Sequence, residues 1–256
     1  MPPEPRIADG IRTCALPSGE NPFAELSASA LLEDVGKGRR GTTLTRVDEA
    51  GGVPLVRTTT RYGSPAQRFR AVHERLARQV QACAELPVAF DNALIESYTN
   101  AYATMGSHSD QALDLADGSF VAVYSCYREP HTSPPRKLIF ERKGSGDETW
   151  EIPLTHNSVV AFSVESNRRL RHRIVLDPRD RAVESQWLGV TFRTSKTHLR
   201  FRDGQALLPD GTRLTSADEE QQREFYRLRR RENTETDFVY PPLTYTVSES
   251  DLLPPV

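Results

Sequence analysis

Two residues in this chain are spaced to share one ion. His108 and Asp110 close the run Tyr98-Thr-Asn-Ala-Tyr-Ala-Thr-Met-Gly-Ser-His-Ser-Asp110. On an extended segment, residues two apart point to the same side. An imidazole and a carboxylate can then face one metal. A lone His-x-Asp is weak evidence, because most such pairs lie in turns. The pattern sharpens with His172, sixty-two residues after Asp110, in Leu-Arg-His-Arg-Ile-Val. That segment reads as a strand following the apolar run Val159–Val164.

Two imidazoles and one carboxylate form the facial triad that binds ferrous iron and leaves positions open. Those positions suit a bidentate 2-oxo acid and O2, so Fe(II), 2-oxoglutarate and O2 are the expected cofactor and co-substrates. A dicarboxylate co-substrate calls for a fixed cation. Arg193, in Leu-Gly-Val-Thr-Phe-Arg-Thr-Ser-Lys-Thr, offers a planar fork that grips a carboxylate. Ser195 or Thr197 would add a hydroxyl, and Asn100 and Tyr102 would donate to the remaining co-substrate oxygens. Asp114 and Asp117 read as solvated loop residues. Trp150 and Trp187 read as core or pocket wall.

These side chains need a scaffold that joins distant segments. Candidate strands are Ala93–Asn100, Ser119–Tyr127, Lys137–Arg142, Thr149–Pro153, Ser158–Ser163, Arg171–Leu176 and Gln186–Thr194. They are short, consecutive and separated by polar or Gly/Pro turns, which points to an antiparallel sandwich or barrel. The jelly roll (double-stranded β-helix) fits this count and the site, so the expected class is mainly β with flanking helices. Val53–Tyr62 reads as a further strand. Phe69, Val72, Leu76 and Val80 predict an amphipathic helix over 65–84, capped by Ser64. Residues 217–232 form a charged helix with a thin apolar stripe, expected to dock on the outside. Residues 1–52 read as an arm, a short helix at Phe23–Leu32 and loops with a turn at Gly51–Gly52. Residues 53–203 form the core, and 204–256 the second helix and a Pro-rich tail, extended or disordered from Tyr240.

The composition narrows the function. The chain has 256 residues, 37% hydrophobic and 27% charged, which suits a soluble globular protein. Lys and Arg total 33 against 35 Asp and Glu, so no basic surplus marks a dedicated nucleic-acid binder. The clusters at Lys37–Arg40 and Arg227–Arg231 read as solvated faces. Cys14, Cys83 and Cys126 are odd in number and widely spaced; free thiols in a reducing cytosol are the expectation. Nothing resembles a signal segment or a membrane span, so a cytoplasmic protein is expected.

The order Asn-x-Tyr, Gly-x-His-x-Asp, distal His, Thr-Phe-Arg resembles the AlkB-like branch of the 2-oxoglutarate/Fe(II) dioxygenases, over roughly Val53 to Arg200. The resemblance implies His108, Asp110 and His172 as iron ligands. It implies Asn100, Tyr102 and Arg193 as 2-oxoglutarate contacts. One departure is visible. Aligned on Thr191–Arg193, the family's Arg-x-Asn-x-Thr-x-Arg finds Trp187 and Gly189 in place of its first Arg and its Asn; with Arg193 as the first Arg, Ser195 and Thr197 follow but Leu199 falls where the second Arg belongs, so Arg193 is kept in either register. Three functions follow from the sequence. The first is hydroxylation or demethylation of a small molecule, amino acid, peptide or natural product, favoured by the charge balance. The second is an AlkB-like nucleic-acid demethylase, with Arg39, Arg40, Arg57 and Arg61 as a phosphate-contacting edge. The third is a cupin-like protein that holds metal without turnover.

Overall fold

A computed structural model describes residues 10–17, 19–144 and 148–256. The part of the predicted arm in residues 1–9 lies outside the described residues. The strands are β1 (Ile11–Ala15), β2 (Glu33–Gly36), β3 (Arg39–Thr45), β4 (Val53–Leu55), β5 (Gln67–Arg68), β6 (Asn92–Thr99), β7 (Phe120–Tyr127) and β8 (Arg136–Arg142). They continue with β9 (Thr149–Leu154), β10 (Ser158–Ser163), β11 (Leu170–Val175), β12 (Gln186–Arg193), β13 (Thr197–Arg202), β14 (Gln205–Leu207), β15 (Thr215–Ser216) and β16 (Tyr245–Thr246). The α-helices are α1 (Phe23–Ala28), α2 (Ala71–Cys83), α3 (Val164–Arg169) and α4 (Glu219–Glu232).

A large sheet runs in the order β1-β10-β7-β12-β6-β3-β2, with β5 added alongside β3. A smaller sheet, β11-β8-β9, faces it. All pairings in these two sheets are antiparallel except β3 with β5. The alternation of side chains splits each central strand between two cores. On β12, Leu188, Val190 and Phe192 join Leu76 and Val80 of α2 in the core behind the large sheet. Trp187, Gly189, Thr191 and Arg193 point the other way and line a cavity between the sheets. The same division holds on β7, where Ala122 and Tyr124 face α2, and Val121 and Val123 face the cavity. The period-two pattern therefore builds the support and the floor of the site from the same strands.

Several expectations change. Val53–Tyr62 is a strand only as far as Leu55. Arg57 then turns inward, its backbone N–H and guanidinium both on Asp114, which is fully buried rather than solvated. The helix expected over 65–84 starts at Ala71, because Gln67 and Arg68 pair with Leu44 and Thr45 first. The cap lies at Arg70, whose N–H donates to His73 Nδ1, and not at Ser64. The first thirty residues include β1, which edges the large sheet, and α1 ends at Ala28 rather than Leu32. A hairpin the sequence reading did not place turns at Lys37–Gly38 between β2 and β3, while the chain does turn at Gly51–Gly52 as expected, with Gly51 N–H on Asp48 O and Asp48 N–H on Gly52 O. The tail beyond Tyr240 is held in place. Tyr245 and Thr246 pair with Thr215 and Ser216, and Arg57 Nη1 donates to the carbonyls of Leu243 and Tyr245.

The cysteines also depart from expectation. Cys14 of β1 and Cys83 of α2 form a disulfide, with Cα atoms 6.1 Å apart, and only Cys126 is a free thiol, buried. The bond removes the free-thiol argument for a reducing compartment. Among the described residues, no helix is long and apolar enough to cross a membrane.

Candidate metal centre

The two histidines come from segments 64 residues apart, yet they are direct cross-strand neighbours. His108 N–H donates to His172 O at 2.9 Å, and His172 N–H donates to His108 O at 2.6 Å. Residues 104–108 thus run antiparallel beside β11, with a second bridge from Thr104 to Val175. Residues directly opposed in such a pair present side chains to the same face. The ring centroids lie 4.6 Å apart. Phe162 stands beside His172, 5.1 Å between ring centroids, and walls in the buried imidazole.

Asp110 completes the cluster. Its Oδ1 is 3.5 Å from His172 Nε2 and 3.8 Å from His108 Nε2. The ligand atoms of all three lie within 4.8 Å of one another. Asp110 Oδ2 accepts from Arg193 Nε at 2.8 Å and Nη2 at 2.6 Å. The carboxylate is therefore divided: one oxygen faces the imidazoles and the other is held by a guanidinium. The Asp110 backbone is fixed in turn by Asn167 of α3, whose side-chain amide accepts from Asp110 N–H and donates to Asp110 O, both at 2.7 Å.

The electrostatics suit a cation. Burial opposes the Asp110 charge, but Arg193 and the two histidines hold its carboxyl well below the usual range. Burial and the neighbouring His172 push His108 down to about 4, against the pull of Asp110. His108 Nδ1 lies 2.7 Å from the Gly106 carbonyl. That contact requires the proton on Nδ1 and leaves Nε2 with its lone pair toward Asp110 and His172. Two imidazoles and one ionised carboxylate oxygen, with outer partners already in place, fit a divalent transition ion.

The cluster opens onto a cavity of about 550 Å³ between the two sheets. Its floor includes Leu94, Val121, Val123 and Thr191, and its roof is α4, through Tyr226, Arg229 and Arg230. The helix expected outside thus covers the site and grips the ligand loop. Ser109, between two ligands, donates its N–H to Asn233 Oδ1 at 2.9 Å, and its carbonyl accepts from Arg229 Nη2 at 2.8 Å. Ala112 N–H donates to Glu232 Oε1 at 2.8 Å. Arg229 pairs with Glu232, and both are buried.

The solved structure of OsALKBH1 matches this one with a TM-score of 0.50 and 13% sequence identity, over 74% of this chain and 99% of that chain. The fold is AlkB-like. At that identity the likeness speaks for architecture alone. Neither a protein-family model nor a curated protein sequence matches the chain.

The AlkB-like frame brings together some of the residues named from the sequence and leaves others apart. His108, Asp110, His172, Tyr102 and Arg193 all line the cavity. Asn100 does not. Its amide donates to Val183 O at 2.5 Å and reaches Asp180 O at 3.3 Å, tying down the loop before β12. Ser195 is also elsewhere, its Oγ 2.6 Å from Leu55 O and accepting from Thr197 N–H at 3.0 Å. Its strand ends at Arg193, so the alternation that aims Arg193 at the cavity no longer governs Ser195. Arg193 differs in its partner: two of its nitrogens are on Asp110. The sequence reading missed Asn167, Gln111, Arg229 and Asn233. A signal existed for one of them, since Arg229 and Glu232 are spaced three apart on the helix.

Proposed function

We propose that this chain is a 2-oxoglutarate- and Fe(II)-dependent dioxygenase of double-stranded β-helix type. It would hydroxylate or oxidatively demethylate a C–H bond of a small molecule, amino acid, peptide or natural product. The observation that carries the reading is the convergence of His108 Nε2, His172 Nε2 and Asp110 Oδ1 at the wall of the cavity between the sheets. An ion held by these three would keep open positions toward the cavity. Iron with 2-oxoglutarate there supplies O2 activation, with release of succinate and CO2.

The chain's own residues hold, orient and shield. Arg193 fixes Asp110 so that Oδ1 stays presented, and Gly106 O fixes the His108 tautomer. Phe162, Val121 and Leu138 exclude water from the buried wall. Asp110 takes the carboxylate place, so a halide has no evident vacancy in the ligand set, which favours oxygen insertion over halogenation. Tyr102 and Thr191 on the cavity wall, with Arg193, are our candidates for contact with the co-substrate.

The overall charge balance, 33 Lys and Arg against 35 Asp and Glu, is our reason for placing a small substrate ahead of nucleic acid. Two of the four arginines of the suggested phosphate edge, Arg39 and Arg57, are turned to acidic partners, whereas Arg40 and Arg61 are exposed and held only by neutral groups. Arg39 is on Glu96 and Thr60, Arg40 on Leu32 O, Arg57 on Asp114, and Arg61 on Gln222 and Tyr226. In the second basic cluster, Arg227, Arg229 and Arg231 pair with Glu224, Glu232 and Glu235.

The test is succinate formation from 2-oxoglutarate with Fe(II) and O2. We expect it in the wild type and not in His108→Ala, which also loses metal binding. Equal succinate yield from both proteins sinks the assignment. Titration with oligonucleotides at two salt concentrations separates the substrate classes; tight, salt-sensitive binding restores the nucleic-acid reading.

A further inference from the structure

Five arginines line the cavity, and four of them meet an acid: Arg39 meets Glu96, Arg57 Asp114, Arg193 Asp110 and Arg229 Glu232. The fifth, Arg230, is exposed and has no side-chain hydrogen bond or ion pair among the described residues. The same exception appears along α4, where Arg223, Arg227, Arg229 and Arg231 pair with Glu219, Glu224, Glu232 and Glu235. Residues three and four apart share a face of a helix. Tyr226, Arg230 and Asn233 therefore form one row, and all three line the cavity. At one end of the row, Asn233 accepts from Ser109 N–H, between two of the candidate metal ligands. At the other, Tyr226 and Gln222 are the neutral partners of Arg61, which is exposed. The mouth of the cavity thus carries uncompensated positive charge, about one helical turn from the residue that holds the ligand loop.

We infer that the prime substrate of the proposed oxygenase is a small anion whose oxyanion head, a carboxylate or a phosphate monoester, is held by Arg230, with an apolar body directed inward. The inference rests on that functional reading. The charges inside the cavity otherwise cancel. The acids that line it, Glu96 and Asp110, are both engaged by arginines. A ferrous ion and a 2-oxoglutarate dianion would cancel each other in turn. Arg230 is what remains, and its planar fork matches two oxygens of one head group. An ammonium-headed substrate would face this cation and find no free carboxylate on the lining. A neutral substrate would leave the guanidinium to water. Deeper in, Val121, Val123, Leu138, Phe162 and Ile174 suit a chain or ring without charge.

The experiment compares hexanoate and hexyl phosphate with hexanamide. Each is titrated without O2 into the protein loaded with Fe(II) and 2-oxoglutarate, and binding is read by saturation-transfer NMR. At least one anion should bind about fivefold tighter than the amide or better, and the tighter of the two names the head group. Arg230→Gln should remove that preference, and Arg230→Lys should keep part of it. Arg223→Gln, on the same helix but away from the cavity, should leave it intact. Equal or undetectable binding of all three compounds to the wild type overturns the inference. So does a preference that survives Arg230→Gln, or one that falls as much in Arg223→Gln, which would show only the diffuse field of the helix. A loss of 2-oxoglutarate affinity in Arg230→Gln with hexanoate unaffected assigns the residue to the co-substrate instead. A single-stranded oligonucleotide that binds through Arg230 where neither small anion does gives it to nucleic acid, and also overturns the proposal. Metal binding is measured separately by calorimetry. Its absence in the wild type defeats the oxygenase reading itself, whereas a bound metal with no anion preference defeats only the Arg230 assignment.

Discussion

Removing Arg193 tests whether it serves the metal ligand or the co-substrate. The sequence expectation was a 2-oxoglutarate anchor. The geometry puts Nε and Nη2 on Asp110 Oδ2, with Arg193 6% and Asp110 7% exposed. In Arg193→Leu the carboxylate keeps its burial and loses the cation that hydrogen-bonds it. Breaking a buried pair from one side costs about 3–5 kcal/mol, part of which the carboxyl escapes by taking a proton. Outer partners of metal ligands typically govern affinity by about 10–100-fold. We therefore expect metal affinity, measured by calorimetry with Co(II) and no 2-oxoglutarate, to fall by about that factor in Arg193→Leu and by less in Arg193→Lys. The pH dependence follows in sign. Asp110 is depressed in the folded wild type, so its ionised form contributes stability above the unfolded carboxyl value near 3.9, lost as pH falls through the lower folded value. Without Arg193 the carboxyl titrates higher, and metal affinity should begin to fall at a higher pH than in the wild type. Unchanged Co(II) affinity, with only the 2-oxoglutarate requirement raised, refutes the argument and returns Arg193 to co-substrate anchoring.

Three further outcomes are expected. Asn233→Ala leaves the buried Ser109 N–H without its acceptor, at about 1–3 kcal/mol; metal affinity should drop severalfold while the circular dichroism spectrum is retained, and unchanged affinity shows that α4 does not position the loop. Unfolded without reductant, the protein should expose one titratable thiol and with reductant three. Cys83→Ser, opening a closure of 69 residues, should lower stability by up to about 4 kcal/mol in urea; three thiols without reductant rule out the bond. Burial first, and then Arg70, push His73 down to about 4, and its neutral ring bridges Arg70 N–H and Ser29 Oγ. Its contribution, on the order of 3 kcal/mol, should be present above pH 6.5 and lost as pH falls from there toward 4; an identical acid-unfolding profile for His73→Asn contradicts this.

The part of the fold visible in the sequence is the part written in short apolar runs between turns. The strands from β6 to β12 fall within a residue or two of their expected limits, because each is a short alternating or continuous apolar run bounded by turn signals. Where segments lack that pattern, the reading fails. β1 carries Arg12 and Thr13 on an edge, and β2 and β3 are rich in Gly, Thr and charge, so neither looks like core strand. Tertiary contacts overrule local signals at Arg57 and at Gln67–Arg68. The disulfide could not be foreseen from two cysteines 69 residues apart. At the site, the chemistry of the side chains identified the ligand set, but not what holds it. Asn167, Arg229 and Asn233 act through backbone atoms of the ligand loop, and such contacts leave no spacing to read. α4 looked solvated because charge dominates its composition, although Phe225 and Leu228 are buried and its buried Arg and Glu neutralise each other.

β1 has a role that its five residues conceal. It covers the outer edge of β10, where Val159, Val160, Ala161 and Phe162 form a wholly buried apolar row. Peeled away, it would leave that row with unpaired N–H and C=O groups along a flat margin, the kind of template on which chains stack into aggregates. Cys14 stitches this shutter to α2 across the back of the sheet. The redox state of one covalent bond thus bears on whether the molecule stays dispersed, independently of anything that happens in the cavity.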